Sequence, residues 1–323
     1  FMDLLDTTIV NVALPSIEKD LNATSAQLEW IVSGYVLSFA VLIITGGRLG
    51  DIYGRKRLFL IGVTGFTLAS ASCAAATSGD MLVTSRLVQG IFGAIMIPQV
   101  LSIIQVLFAP KERAGVFGAL GAISGLAAVA GPLIGGFLVT QNAFDLGWRS
   151  VFIINVPVGI ALFITAALCI PESRAAKRVR LDVLGVVMIS ATLFLLVYGL
   201  IEGRALGWPI GIWIMMGASP VLLAVFIWYQ SRRDKKSGSA LVPPSLFHSR
   251  GYSAGVLTSF SFSASIGGFF LILVLYLQVG LGFSAIDAGL TTLPFSLGAL
   301  VGSGIAVPLG PRLGKGLILL GAL

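Results

Sequence analysis

Gly47-Arg48-Leu49-Gly50-Asp51-Ile52-Tyr53-Gly54-Arg55-Lys56-Arg57 lies between two long apolar runs. Two greasy spans joined by so short a turn must run antiparallel through a bilayer. The four cations Arg48, Arg55, Lys56 and Arg57 place that turn on the cytoplasmic side, because basic loops resist translocation. The glycines, Gly47 and Gly54 among them, let backbones come close. Asp51 adds nothing to orientation, so it is expected to cap a helix N-terminus or hold a cationic partner.

The rest of the composition agrees with a membrane protein. Hydrophobic residues make up 56% and charged residues 11% of the chain, and the mean hydropathy is +0.98. A soluble domain carries about 25% charged residues. At roughly 20 apolar residues per crossing, spans are predicted at 1–17, 30–48, 58–77, 81–107, 114–139, 150–170, 183–201, 210–229, 252–279 and 287–309, with an eleventh beginning near Leu317. A formal charge of +7 would suit a nucleic-acid partner only if the cations clustered on a soluble face. Under a cytoplasmic N-terminus they instead fall almost wholly on one side: only Lys19, Arg149 and Arg204 face outside, and Arg86 lies within a span. The basic balance is topology, and no nucleic-acid partner is expected. The chain opens at Phe1 and stops inside an apolar run, so both ends read as cut. The first span is not a signal peptide, since polar and acidic residues interrupt it. Cys73 and Cys169 fall near opposite membrane faces, which argues against a disulfide, and His248 falls in a solvated loop.

The turn at 47–57 resembles the loop between the second and third spans of the major facilitator superfamily, a large class of secondary transporters. Gly310-Pro311-Arg312-Leu313-Gly314-Lys315 is a degraded echo of it, with Gly314-Lys315 against Gly54-Arg55 and the acid lost. Such a repeat is what two-bundle carriers require. It implies an all-α polytopic membrane protein with two six-helix bundles and two inserted helices, of which ten to eleven spans are present; a twelve-span carrier with shifted boundaries is the alternative. Residues 1–170 would form the N-terminal bundle, 171–182 a cytoplasmic linker and 183–230 the inserted pair. A second linker would follow at 231–250, in which Leu241 to Phe247 offers apolar residues to the interface. Residues 251–323 would begin the C-terminal bundle.

Leu5-Asp6-Thr7-Thr8-Ile9-Val10-Asn11-Val12-Ala13-Leu14-Pro15 closely resembles a signature of fourteen-span drug:proton antiporters. Independently of that likeness, Asp6 lies nine residues inside Pro15, roughly 13 Å and close to the midplane. A carboxylate there costs about 2.5–3.5 kcal/mol on insertion scales and commonly serves transport. Burial disfavours a charged carboxylate and a nearby cation favours it, so a change of partner can switch its protonation. Arg86, in Arg86-Leu87-Val88-Gln89-Gly90-Ile91-Phe92-Gly93, sits about 8 Å inside the outer surface. It is a permanent cation that can reach Asp6 in one conformation. Asp6 and Arg86 are therefore the expected proton-coupling pair, with a structural ion pair as the plainer reading.

Gly131-Pro132-Leu133-Ile134-Gly135-Gly136 resembles the antiporter signature on the fifth span, which implies export; glycines at this spacing also serve close packing, and Pro132 can bend the helix. Trp148 and Arg149 suit the membrane interface, and Asn155 lies deeper. Asn11, Trp30, Tyr35, Gln89, Gln99, Asn155, Tyr276 and Gln278 are candidate liners of a substrate cavity, or bridges between helices. Gly47, Asp51, Gly54, Arg55 and Lys56 are the candidate cytoplasmic gate. Thr24-Ser25-Ala26-Gln27 reads as a capping box, Asp80 as a cap before the fourth span and Asp287 as a helix-start acid.

The resemblance implies a proton-coupled antiporter exporting amphipathic, often cationic small molecules by alternating access, acting as a monomer in the lipid bilayer of a cell membrane. No phosphate-binding loop of the form GxxxxGK[ST] occurs, so the proton gradient is the expected drive, with no cofactor, metal or enzymatic activity. A proton-coupled uptake symporter on the same fold, or a receptor or scaffold without turnover, would use the same spans. Direction of proton flux separates the first two, and binding without counterflow marks the third.

Overall fold

The computed structural model describes residues 1–141, 146–174, 182–237, 240–283, 285–314, 316, 319 and 321. These are helical nearly throughout, with no strand among the described residues. In chain order the helices are α1 (Met2–Leu21), α2 (Ser25–Tyr53), α3 (Arg55–Ala74), α4 (Gly79–Leu107), α5 (Pro110–Thr140), α6 (Ser150–Ile153) and α7 (Asn155–Cys169). After them come α8 (Val183–Ala205), α9 (Ile210–Ser237), α10 (Arg250–Leu275) and α11 (Ala285–Leu313). Seven helical segments among the described residues are long and apolar enough to cross a membrane. α1 is 20 residues long but carries Asp3, Asp6 and Glu18, acids that the bundle or water must accommodate.

Helix ends follow local chemistry. Thr24 opens α2 with the expected capping box, its hydroxyl accepting from Gln27 N–H while the Gln27 side chain accepts from Thr24 N–H. Asp80 does not cap α4. Ser78 does, accepting from Met81 N–H, and Asp80 in the first turn accepts from Gln27 Nε2 at 2.7 Å. The span expected at 150–170 is present as one apolar segment, Gly147–Cys169, with a local break: a 3-10 turn at Gly147–Arg149 precedes α6, and the helix interrupts at Ile154 before α7. Pro157 has no N–H to donate to Ile153, so the ladder cannot run through. α9 continues past the expected end at 230 to Ser237, and a 3-10 turn at Pro244–His248 leads into α10. Much of the expected linker at 171–182 lies outside the described residues, as does Lys315 of the degraded repeat.

The core sits among α1 to α7. Ile9, Val10, Ala13 and Ile17 of α1 pack with Ile31, Leu82, Val151 and Phe152. A second cluster joins Met2, Tyr35, Val63, Phe66 and Met96. α2 and α4 come close because Gly46 and Gly50 have no side chains; a Cβ on Gly46 would stand 2.1 Å from Ala94 O. α8 and α9 pair and dock on α2. There Ser190 Oγ donates to Val41 O at 3.1 Å, and the rings of Trp30 and Tyr198 lie 6.0 Å apart. Their outer faces carry exposed Leu184, Val187, Ile214 and Val221, a lipid-facing belt. Leu241, in the segment expected at the interface, is buried against Ile189 and Phe226, while Leu246 and Phe247 are exposed. α11 packs along α5.

Candidate functional site

The buried positions of α1 are Met2, Leu5, Asp6, Ile9, Val10, Ala13 and Ile17. Steps of three and four residues put them on one face, and Asp6 lies in the middle of it. Its side chain therefore points into the bundle and has no exposed surface. Arg86 and Gln89 are one turn apart on α4 and both buried. Arg86 Nη1 donates to Asp6 Oδ2, and Gln89 Nε2 donates to Asp6 Oδ1 at 2.9 Å. Asn155, the first residue of α7, donates through Nδ2 to the same Oδ1 at 2.8 Å.

A second ring of groups fixes these donors. Arg86 Nη1 also donates to Gln89 Oε1 at 2.7 Å, and Arg86 Nε donates to Ile31 O of α2 at 2.9 Å. The guanidinium lies 4.3 Å from the centre of the Tyr35 ring, a cation–π arrangement. On α3, Ser70 Oγ accepts from Asn155 Nδ2 at 3.0 Å and donates to Phe152 O at 2.9 Å. Cys73 Sγ donates weakly to Gln89 Oε1 at 3.6 Å. Asn155 Oδ1 is buried with no hydrogen-bond partner among the described residues. Five helices thus meet at one carboxylate. A buried charge is tolerated only when paired and fully hydrogen-bonded, and three donors meet that condition for Asp6.

Asp3 stands one turn before Asp6, partly buried, and accepts from Tyr35 Oη. Sequence reasoning left Asp3 and Ser70 out of the site and weighed Cys73 only as a disulfide partner. The spacing of Asp3 and Asp6 on one helix face was the available signal. Nothing in α3 marked Ser70 or Cys73 before the packing was known.

α5 approaches α1 next to this centre. A Cβ on Gly131 would fall 1.9 Å from Thr8 Oγ1, and one on Gly135 would fall 2.7 Å from Ile9 Cγ1. Only glycine permits that approach, one turn or less from Asp6. Gly136 is also buried, and α5 runs through Pro132 without a break.

The other candidates scatter. Gln99 is buried at the α2–α4 crossing, donating to Gly46 O at 2.8 Å and Ile95 O at 3.0 Å, so it bridges helices. Trp30 packs toward α8. Asn11 and Tyr276 are exposed, and the side chain of Gln278 lies outside the described residues. Trp148 is buried against the core, and its indole donates to Asp20 Oδ2 at 2.9 Å. Arg149 Nη1 pairs with the same oxygen at 2.6 Å and Nη2 donates to Ala76 O at 3.1 Å, which ties the end of α1 to α3 and α6. Those two donors hold the Asp20 carboxyl below its ordinary range.

At the opposite end of α2, Gly54 alone separates α2 from α3, with φ +113°. The first N–H groups of α3 point at the segment after α7. Arg55 N–H donates to Ser173 O at 2.9 Å, and Lys56 and Arg57 N–H donate to the two Glu172 carboxylate oxygens at 3.2 Å each. Arg55 Nη2 pairs with Asp51 Oδ1 at 2.9 Å, and Lys56 Nζ donates to Ala167 O at 2.7 Å. Arg48 Nη2 donates to Ala240 O and Leu241 O. Asp51 thus pairs with a cation of its own turn. The capping carboxylate of α3 is Glu172, which sequence reasoning left within the linker. A cavity of about 550 Å³ opens beside this turn, lined by Lys56, Arg57, Leu60, Phe92, Phe163 and Glu172 among others; none of the Asp6 partners borders it.

Residues 1–183 match the Major Facilitator Superfamily. The chain is 44% identical over 315 residues to a probable actinorhodin transporter of Streptomyces coelicolor, covering 97% of this chain and 54% of that protein. It is 37% identical to a tetracenomycin C resistance and export protein of Streptomyces glaucescens, covering 98% and 57%. It is 35% identical to a puromycin resistance protein of Streptomyces alboniger, covering 99% and 62%. The chain spans about half the length of the first of these curated relatives. Among solved structures, the proton:xylose symporter XylE superposes with a TM-score of 0.60 at 16% identity, covering 96% of this chain and 67% of that one, which shows a shared fold.

Proposed function

Because this chain belongs to the Major Facilitator Superfamily, we propose that it works as a proton-driven exporter of amphipathic small molecules, cationic ones among them. The observation that carries this reading is the Asp6 carboxylate, wholly buried inside the helical bundle and matched to the fixed cation Arg86. A packing role needs no charge at that depth, and an intramembrane acid commonly serves ion transfer. Arg86 cannot lose its proton, so while it touches Asp6 the carboxylate stays ionised. When α1 and α4 shift, Asp6 loses Arg86 and takes a proton from the side then open to water. The Asn155 amide can turn so that Oδ1, which lacks a partner, accepts the O–H of the neutral acid. Return of Arg86 expels the proton to the other side.

Export is favoured over uptake by the relatives, whose names are those of transport, resistance and export proteins, and by the resemblance of Gly131 to Gly136 to the antiporter signature. In this reading residues 1–170 rock as one bundle against a second that starts at 251, with 183–230 as an inserted pair. The N-terminus is cytoplasmic, and a single copy suffices. Gly54, Asp51, Arg55 and Lys56 latch the cytoplasmic side, and the proton gradient replaces any cofactor.

Everted vesicles energised by respiration, with the cationic dye ethidium added to the outside medium, test this. Asp6→Asn is expected to abolish dye-dependent collapse of the proton gradient at normal expression, with an uncoupler giving the zero. Wild-type exchange by Asp6→Asn sinks the proton-switch role. Dye moving in the same direction as the proton would make the carrier a symporter.

A further inference from the structure

We propose that Asp3 is a second proton-binding carboxyl of the same site, so that the cluster loads two protons against one fixed cation. This rests on the proton-driven reading of Asp6 and deepens it. Asp3 and Asp6 are three residues apart on α1 and therefore share a face. Asp6 takes three donors, from Arg86, Gln89 and Asn155. Asp3 has one side-chain donor, Tyr35 Oη. The two acids are joined through Tyr35, whose hydroxyl bonds Asp3 while its ring lies under the Arg86 guanidinium at 4.3 Å. α4 leaves room for the Tyr35–Asp3 contact at Gly93, where a Cβ would stand 3.2 Å from Tyr35 Oη and 3.6 Å from Asp3 Oδ1. The groups facing Asp3 are thus Asp6 and the Phe1 end of its own helix, Tyr35 from α2 and Arg86 from α4. On the α3 side the apolar Phe66 ring meets Tyr35 edge-on at 6.4 Å.

Charge balance follows from this inventory. With both acids ionised, one guanidinium faces two carboxylates, and the cluster carries net negative charge where water is largely excluded, which is costly. The proton that removes this excess goes to the acid with fewest donors, Asp3, which is also the one partly open to solvent. A second proton then binds when Arg86 leaves Asp6. Each proton bonds a carboxylate oxygen on one side of the membrane and returns to water on the other, with no other bond changed. Tyr35 transmits the event, since neutral Asp3 can donate back to the Tyr35 hydroxyl and shift the ring on which Arg86 rests.

A pH titration of the purified carrier in lipid, followed by infrared difference spectroscopy of the protonated-carboxyl C=O stretch, tests this without a known substrate. Wild type is expected to show two titrating components within the membrane site. Asp3→Asn loses one of them and keeps the one that Asp6→Asn removes, while Asp3→Glu keeps both with one displaced in frequency. An Asp3→Asn spectrum equal to wild type, with Asp6→Asn changed, overturns the role of Asp3 and leaves the Asp6 reading standing. An unchanged Asp6→Asn spectrum instead removes the reading on which it rests. Should Asp3→Asn fail to assemble, Tyr35→Phe decides: a shift of the component that Asp6→Asn leaves in place is expected, and a spectrum in which neither component shifts overturns the role of Asp3.

Discussion

Arg86–Asp6 and Arg55–Asp51 are the same two chemical groups in two settings. The first has side chains 1% and 0% exposed, the second 17% and 26%. Arg86 and Asp6 come from α4 and α1 and are locked by Gln89 and Asn155, whereas Arg55 and Asp51 are four residues apart across the Gly54 turn. In the buried pair each charge is stranded if the other leaves. In the turn, water can replace either partner. The difference is one of coupling: in the buried pair each charge depends on the other, while in the turn solvent weakens that dependence.

The largest effect expected from this contrast is on stability. Arg86→Gln strands the Asp6 carboxylate and is expected to cost about 3–5 kcal/mol, whereas Arg55→Gln costs about 0–1 kcal/mol. Unfolding of the detergent-solubilised variants, followed side by side, measures both. Equal losses would mean that the buried site admits water and that the two pairs are not different in kind. Replacing both Asp6 and Arg86 by apolar residues sharpens the contrast, since loss of a whole buried pair is often neutral for stability and would separate folding from transport.

The turn has its own expensive feature, which is backbone and not charge. Gly54 has φ +113°, and a Cβ there would stand 2.6 Å from Glu172 Oε1. Gly54→Ala is therefore expected to cost about 1–3 kcal/mol and to release Glu172 from the first N–H groups of α3. Hydrogen exchange over residues 55–57 measures the release. Unchanged protection there, with Glu172→Gln equally silent, would leave Gly54 with a purely local part.

Much of this contrast was legible before any packing was known. Seven of the apolar spans and the Gly-rich turn follow from hydropathy and spacing alone, and so does the expectation that Arg86 can reach Asp6. What was not legible is what meets what. Ser70 and Cys73 sit on a helix that is apolar on most sides, and such a helix carries little periodic signal of which face its neighbours cover. Gln99 reads equally as a cavity liner or a bridge until Gly46 is found against it. Trp148 reads as an interface residue, and its residue type does not reveal that Asp20 holds its indole N–H. Asp3 was the one omission that spacing did allow, since an acid three residues from Asp6 must share its face.

The smallest expected effect lies at the third Arg–Asp pair, Arg149–Asp20, which tests where the contrast between dry and wet pairs ends. The Arg149 guanidinium, and after it the Trp148 indole, hold the Asp20 carboxyl below its ordinary value of 3.8. A lowered value in the folded state means the stabilisation is complete above pH 3.8 and is lost as pH falls through the lowered value. Asp20 is 49% exposed, so screening limits the effect to less than about 1 kcal/mol. The fluorescence of Trp148, isolated by replacing the other tryptophans, is expected to change only on the acid side of that point, and Arg149→Gln is expected to move the change toward pH 3.8. A larger transition near neutrality would place Asp20 with the buried centre; an acid profile untouched by Arg149→Gln would leave α1 tied at that end by the Trp148 indole alone.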